Sequence, residues 1–270
     1  MTGAGQFTVP HGVALHVDDA GGTGLPVLFQ HGLCGDARQT QEAFPGDPAF
    51  RRITIEMRGH GASEAGDPQR FSVAAFADDV AAFIKASGLA PVIVGGISMG
   101  AAIALRLACK RPELVKGLIL ARPAWVTDPA PSNMGPNGQV GDLLARLSRQ
   151  EASSAFLSSP TARQLAHEAP DNLASLKGFF LREPQAVTAQ LLQRIAADGP
   201  GVTEDEVRGI SVPTLIIGHA QDFVHPLAHA RALQSLMPSS KLVEITPKAR
   251  DKNRYILDFH AALTAFLKEF

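Results

Sequence analysis

Six short runs of apolar and β-branched residues punctuate the chain: PVLFQ at 26–30, ITIEM at 53–57, PVIVGGI at 91–97, LVKGLIL at 114–120, PTLIIG at 213–218 and KLVEIT at 241–246. Each is bounded by glycine, proline or charge, and runs of this length without polar alternation predict strands covered on both faces. Between them the apolar spacing changes to three and four, as at Phe76, Val80, Phe83 and Ile84, then over 99–110, then over 226–236 with Pro226 in the first turn. Strands alternating with helices predict an α/β fold with a doubly wound, mainly parallel sheet.

The alternation lapses between about Trp125 and Thr203. TDPAPSNMGPNG at 127–138 is rich in turn formers and predicts a mobile loop. GDLLARLSRQ, DNLASLKGFF with Asp171 as N-cap, and PQAVTAQLLQRIAADG then give helical signals only. The expected organisation is a core of residues 1–124 and 204–270 interrupted by a helical cap at 125–203. Thr203 and Glu206 form a capping-box pattern where the core resumes, and no internal repeat is visible.

Composition narrows the function without choosing it. The 270 residues are 45% hydrophobic and 19% charged, with a formal net charge of −1, so no excess charge recruits nucleic acid or an acidic membrane surface. No apolar stretch approaches the ~20 residues that span a bilayer, and the N-terminus lacks a basic start followed by an apolar run, so a cytoplasmic location is expected. Cys34 and Cys109 are far apart, and no ligand cluster implies a disulfide, a metal or a cofactor. Cys109 reads as core; Cys34 reads as a small buried hydrophobe that could line a pocket. The oligomeric state is not legible.

The chemistry-bearing stretch is Gly96-Ile97-Ser98-Met99-Gly100, directly after the PVIVG strand and directly before the helix from Met99 to Lys110. That pentapeptide in strand–turn–helix context forces a tight turn in which glycines clear space around a strained, exposed serine hydroxyl. The alternative for Ser98 is an ordinary N-cap. His31-Gly32 follows the first strand run, which makes the backbone amides of Leu33 and Met99 candidate donors to an oxyanion; His31 itself reads as a residue that fixes this loop.

The chain resembles the α/β-hydrolase superfamily over nearly its whole length, through HG at 31–32, RGHGAS at 58–63, GISMG at 96–100 and GHAQD at 218–222. The resemblance implies a serine nucleophile at Ser98, a triad acid at Asp222 on the loop after PTLIIG, and a cap after the sixth strand. The family usually has aspartate two residues before the arginine of RGxGxS; Glu56 stands there instead and reads as structural.

The resemblance also implies a histidine base on the loop after the last strand, and here that loop is PKARDKN, with none. His260 belongs to the final helix, at the edge of a stripe formed by Ile256, Phe259, Leu263, Phe266 and Phe270, out of reach of Ser98. Three residues after Asp222 and just before a helix start, His225 is the first candidate, provided the 222–225 turn folds back over the elbow; its alternative is a helix cap or pocket-lining residue. Lys248, in the vacated loop, is the alternative base, whereas His219 and His60 are weaker and Arg250 cannot deprotonate. The function expected is hydrolysis of a carboxylic ester, lactone or thioester of a small to medium acyl substrate through an acyl-enzyme, with that small-molecule acyl substrate as the expected partner. The rival is a non-hydrolytic or ligand-binding member of the fold, raised by the vacant histidine position.

Overall fold

The computed structural model describes residues 3–270. The chain opens with an antiparallel pair, β1 (Gly3–Thr8) and β2 (Ala14–Asp19), followed by β3 (Leu25–Gln30), α1 (Ala37–Ala43), β4 (Phe50–Ile55), α2 (Val73–Ala86), β5 (Val92–Ile97), α3 (Met99–Lys110) and β6 (Val115–Ala121). Then come α4 (Gly135–Arg146), α5 (Arg149–Leu157), α6 (Pro160–Glu168), α7 (Pro170–Phe179), α8 (Gln185–Ala196) and α9 (Glu204–Arg208). The chain closes with β7 (Thr214–Gly218), α10 (Leu227–Leu236), β8 (Lys241–Glu244) and α11 (Lys252–Leu267).

These strands make one eight-stranded sheet in the order β1-β2-β4-β3-β5-β6-β7-β8, antiparallel at β1/β2 and β2/β4 and parallel from there on. Alternation along the parallel strands builds two cores. Val27, Phe29, Ile93, Ile119, Leu215 and Ile217 face α1 and α11, meeting Phe44, Tyr255, Phe259 and Leu263. Leu28, Val94, Leu118, Leu120 and Ile216 face the other way, toward Phe76, Val80 and Ile84 of α2, Ile103 and Leu107 of α3, and Leu233 of α10. Burial on both faces is why these strands carry almost no polar residue.

All six expected strand runs form strands, although β4 ends at Ile55 rather than Met57 because the Met57 amide leaves the ladder to donate to His31 Nε2 at 3.0 Å. The capping box at Thr203 and Glu206 is present with both reciprocal bonds. Four expectations are corrected. Residues 127–138 are not a free loop: Asn133 and Met134 are buried, and Asn133 Nδ2 donates to the carbonyls of Ala124 and Val224 at 2.9 and 2.6 Å. Asp171 lies in the first turn of α7 behind Ala169 and Pro170, not at its N-cap. Pro226 is the N-cap of α10, not part of its first turn. The apolar stripe of α11 ends before Phe270, since the helix stops at Leu267. Among the described residues no helix is long and apolar enough to cross a membrane.

Candidate active site

β5 lies mid-sheet between β3 and β6 and delivers Ser98 at its C-terminal end. Ser98 has φ 57° and ψ −110°, outside the usual regions for a residue with a Cβ, and α3 begins immediately after it. The flanking glycines are forced by proximity: a Cβ on Gly96 would sit 2.6 Å from the Gln30 carbonyl oxygen, and one on Gly100 would sit 2.4 Å from it. Ser98, Arg122 and Gln221, three of the five non-glycine residues with positive φ among the described residues, directly follow or lie close behind β5, β6 and β7, and Cys34 follows β3 in the same way. Strained backbone is thus concentrated at the carboxyl edge of the sheet.

Ser98 Oγ lies 2.8 Å from His225 Nε2, and His225 Nδ1 lies 2.9 and 3.0 Å from the two oxygens of Asp222. The 222–225 turn folds back because Asp222 Oδ1 also accepts the His225 backbone N–H at 3.0 Å. Since an ionised carboxylate only accepts, the proton of a neutral His225 belongs on Nδ1, which leaves the Nε2 lone pair directed at the Ser98 hydroxyl.

Two residues absent from the sequence reading hold the carboxylate. Arg122, at the end of β6, donates from Nε and Nη2 to Asp222 Oδ2 at 2.8 and 2.6 Å. Asn172, in α7, donates to Asp222 Oδ1 at 2.9 Å while its own oxygen accepts the Phe223 and Val224 amides at 2.7 and 3.0 Å. Burial alone would raise the Asp222 pKa, but the Arg122 charge and then His225 hold it well below the usual carboxylate range. For His225 burial is the largest influence and lowers the pKa below 6.5; Asp222 opposes this, and Arg122, with Nη2 at 3.2 Å from Nδ1, reinforces it.

The other candidate bases lie elsewhere. Lys248 pairs at 3.8 Å with Asp171, and His260 Nε2 bonds the Glu42 carbonyl at 2.9 Å. His60 accepts the Cys34 amide at 3.0 Å and faces the Arg58 carbonyl at 2.9 Å, so both its nitrogens are occupied by backbone. His31 is likewise spent on Met57 N and the Gly32 carbonyl. Burial lowers the pKa of both, well below 6.5 for His60, so each is a neutral bracket between the 31–35 and 56–60 loops. His219 stands behind Asp222, its Nε2 3.4 Å from Oδ2. Glu56 is structural, its carboxylate accepting the Ala37 and Ala62 amides at 3.0 and 2.6 Å.

Ser98 and His225 open onto a cavity of about 310 Å³ bordered by the 32–35 loop, Gln39, Arg122 and residues of α4 and α7, with Arg182 just beyond α7. The Gly32 amide is taken by Gln39 Oε1 at 2.6 Å and the Cys34 amide by His60, while the Leu33 amide between them has no protein acceptor among the described residues. Met99 is the first residue of α3, so its amide is one of the unpaired donors of a helix start. Cys34 is buried in the cavity wall, and burial pushes its thiol up to about 12.

A parallel sheet whose central strand ends in a strained serine hydrogen-bonded to a histidine–carboxylate pair defines the architecture of one class of enzymes. The sequence pattern of the alpha/beta hydrolase fold matches residues 26–251, and the chain belongs to that family. It is 30% identical over 207 residues, 73% of each chain, to the Klebsiella pneumoniae protein called "Putative carbamate hydrolase RutD". It is 26% identical over 260 residues, 89% of this chain and 80% of the other, to the mouse sn-1-specific diacylglycerol lipase ABHD11. Among solved structures, an esterase from Exiguobacterium antarcticum covers 98% of this chain over 100% of its own, with TM-score 0.77 and 21% identity, a likeness of fold.

Proposed function

We propose that this protein is a serine hydrolase that cleaves an ester or related acyl bond, with Ser98 as nucleophile, His225 as general base and Asp222 as the acid that orients it. The observation carrying this reading is the continuous chain from Ser98 Oγ through the His225 ring to Asp222, with links of 2.8 and 2.9 Å. A serine hydroxyl attacks poorly until a base takes its proton, and His225 is neutral near pH 7 because its pKa is lowered. Attack forms a bond from Ser98 Oγ to the acyl carbon while the proton passes to Nε2. The oxyanion is received by the Leu33 and Met99 amides, the leaving group takes the proton from Nε2, and water repeats the sequence to free the acid. Relatives named for carbamate and diacylglycerol cleavage act at the same kind of carbonyl, which supports an acyl-transfer reaction.

Residues 125–203 serve as a cap in this reading, since Asn137, Asn172, Leu176 and Phe179 border the cavity and select what enters. The non-hydrolytic reading was motivated by the histidine-free 247–253 loop; His225 within 2.8 Å of Ser98 supports the hydrolytic one instead. The test is turnover of short aryl esters: Ser98→Ala abolishes it, His225→Ala lowers it by about 10² to 10⁴ fold, and Lys248→Met leaves it within a few fold. Wild-type rates in Ser98→Ala, or a larger loss in Lys248→Met than in His225→Ala, would overturn the assignment.

A further inference from the structure

The charged residues bordering the cavity are both cationic. Its lining contains Arg122 and Arg182 and no aspartate or glutamate. Arg122 is neutralised by Asp222, but Arg182 is not: it donates from Nη1 to the Cys34 carbonyl at 2.6 Å and from Nη2 to the Gly59 carbonyl at 3.2 Å, both uncharged acceptors. Among the described residues no carboxylate lies within 4.0 Å of it, and its buried Nε has no partner. A guanidinium carries five N–H donors and a permanent charge, so two carbonyls leave both donors and charge uncompensated. A partly buried cation without a counter-ion is costly, and here it stands at the wall of the cavity that holds Ser98.

From these observations we infer that Arg182 is the recognition site for a carboxylate carried by the substrate, an inference that rests on the acyl-hydrolase reading and narrows it to acidic acyl compounds such as half-esters of short dicarboxylic acids. The two backbone bonds fix the guanidinium instead of leaving it on a free stem, which favours planar, charge-assisted pairing with a carboxylate. One of those bonds is to Cys34, the residue after Leu33. The anchor is therefore held by the same tight 32–35 turn, closed by the Gly35 amide donating to the Gly32 carbonyl at 2.9 Å, that carries the proposed oxyanion donor, so a short carbon chain links the two.

The experiment compares mono-4-nitrophenyl adipate with 4-nitrophenyl hexanoate, which share a chain length and differ in the terminal carboxylate. Wild type favours the acidic ester in kcat/KM, and free adipate competes with hexanoate turnover. Arg182→Met lowers the acidic-to-neutral ratio by about 10 to 100 fold, the worth of a charge-assisted hydrogen bond, and Arg182→Lys recovers part of it. A ratio unchanged in Arg182→Met, as a purely structural clamp would give, overturns the inference; so does a wild type that favours the neutral ester and is not inhibited by adipate. The wild-type measurements hold even if Arg182→Met fails to fold. Failure of the hydrolase reading itself appears separately, as no Ser98-dependent turnover of either ester; adipate binding by calorimetry to wild type, weakened in Arg182→Lys, then still reports on the anchor.

Discussion

Arg122 is the strongest electrostatic influence on the candidate acid, and Arg122→Gln isolates it. The guanidinium Nη2 lies 3.2 Å from His225 Nδ1, the nitrogen that carries the proton in the productive tautomer. Taking the charge centres as roughly 4.5 Å apart with an effective dielectric of about 20, the repulsion between Arg122 and a protonated His225 is about 4 kcal/mol, or between two and three pKa units. Water entering the space left by the guanidinium reduces this, so a rise of at least about one unit is expected. The proposed base works only when neutral; raising its pKa therefore moves the acid limb of kcat/KM to higher pH and depresses turnover most at pH 6, with recovery toward pH 9.

The assay is a pH profile of kcat/KM on a neutral aryl ester, with Arg122→Lys as the variant that retains charge and an acid limb near that of wild type. Removing one partner of a buried ion pair costs up to about 3 to 5 kcal/mol in stability, and glutamine retains a donor toward Asp222 that limits this loss. Melting curves at each pH separate unfolding from titration. An Arg122→Gln protein that is folded and active, with an acid limb within about 0.3 unit of wild type, would refute the claim that the Arg122 charge helps hold the His225 pKa down.

Two further outcomes follow from burial and close contact. His31, His60 and His225 all have pKa values lowered by burial. Their unfolded forms take up protons below about pH 6.5 while the folded forms do not, so stability falls as pH drops, by a slope approaching about 1.4 kcal/mol per pH unit for each histidine; urea midpoints that stay flat from pH 7.5 to pH 5 would contradict this. Gly100→Ala drives a Cβ to 2.4 Å from the Gln30 carbonyl oxygen and 2.9 Å from that of His31, both backbone atoms that cannot swing aside. A loss of about 3 kcal/mol or more is expected, and one under about 1 kcal/mol in urea titration would show the elbow to be looser than described.

The parallel sheet was legible because its strands are buried on both faces and so are apolar without interruption. β1 and β2 were not: they lie at the edge, where GAGQFT and ALHVDD carry glycine and charge and the register is set by pairing with each other and with β4. Ser98 was readable because its glycines are forced by local clashes, and His225 because three residues separate it from Asp222, a spacing one turn can close. Arg122 and Asn172 were not readable, since their purpose exists only once β6 and α7 converge on the 222–225 turn. One signal was available for Arg122, an arginine placed directly after the mostly apolar LVKGLILA run. A charge there needs a buried partner. The 127–138 stretch misled because its turn formers are there to start α4, and Asn133 anchors it to carbonyls far away in sequence.

Placing the proposed base on the loop after β7 instead of the loop after β8 changes what must hold the site together. With acid and base on separate loops, two loop positions have to be right relative to the serine; here Asp222 Oδ1 receives both the backbone amide and the ring nitrogen of His225, so the proposed acid and base share one turn. The single long-range demand is that this turn lie over Ser98. Arg122 meets it from β6, the strand between β5 and β7, and Asn172 meets it from α7, so the turn is clamped from the sheet and from the helices that border the cavity. The histidine-free 247–253 loop does other work: Lys248 reaches Asp171 in α7, and beyond the loop, in α11, Tyr255 packs under the Arg122 guanidinium, 5.9 Å from its ring centre. The helices over the cavity are therefore tied to the proposed acid and to the 247–253 loop alike, so a substitution in α7 that disturbs Asn172 acts on the orientation of His225 as well as on the shape of the cavity.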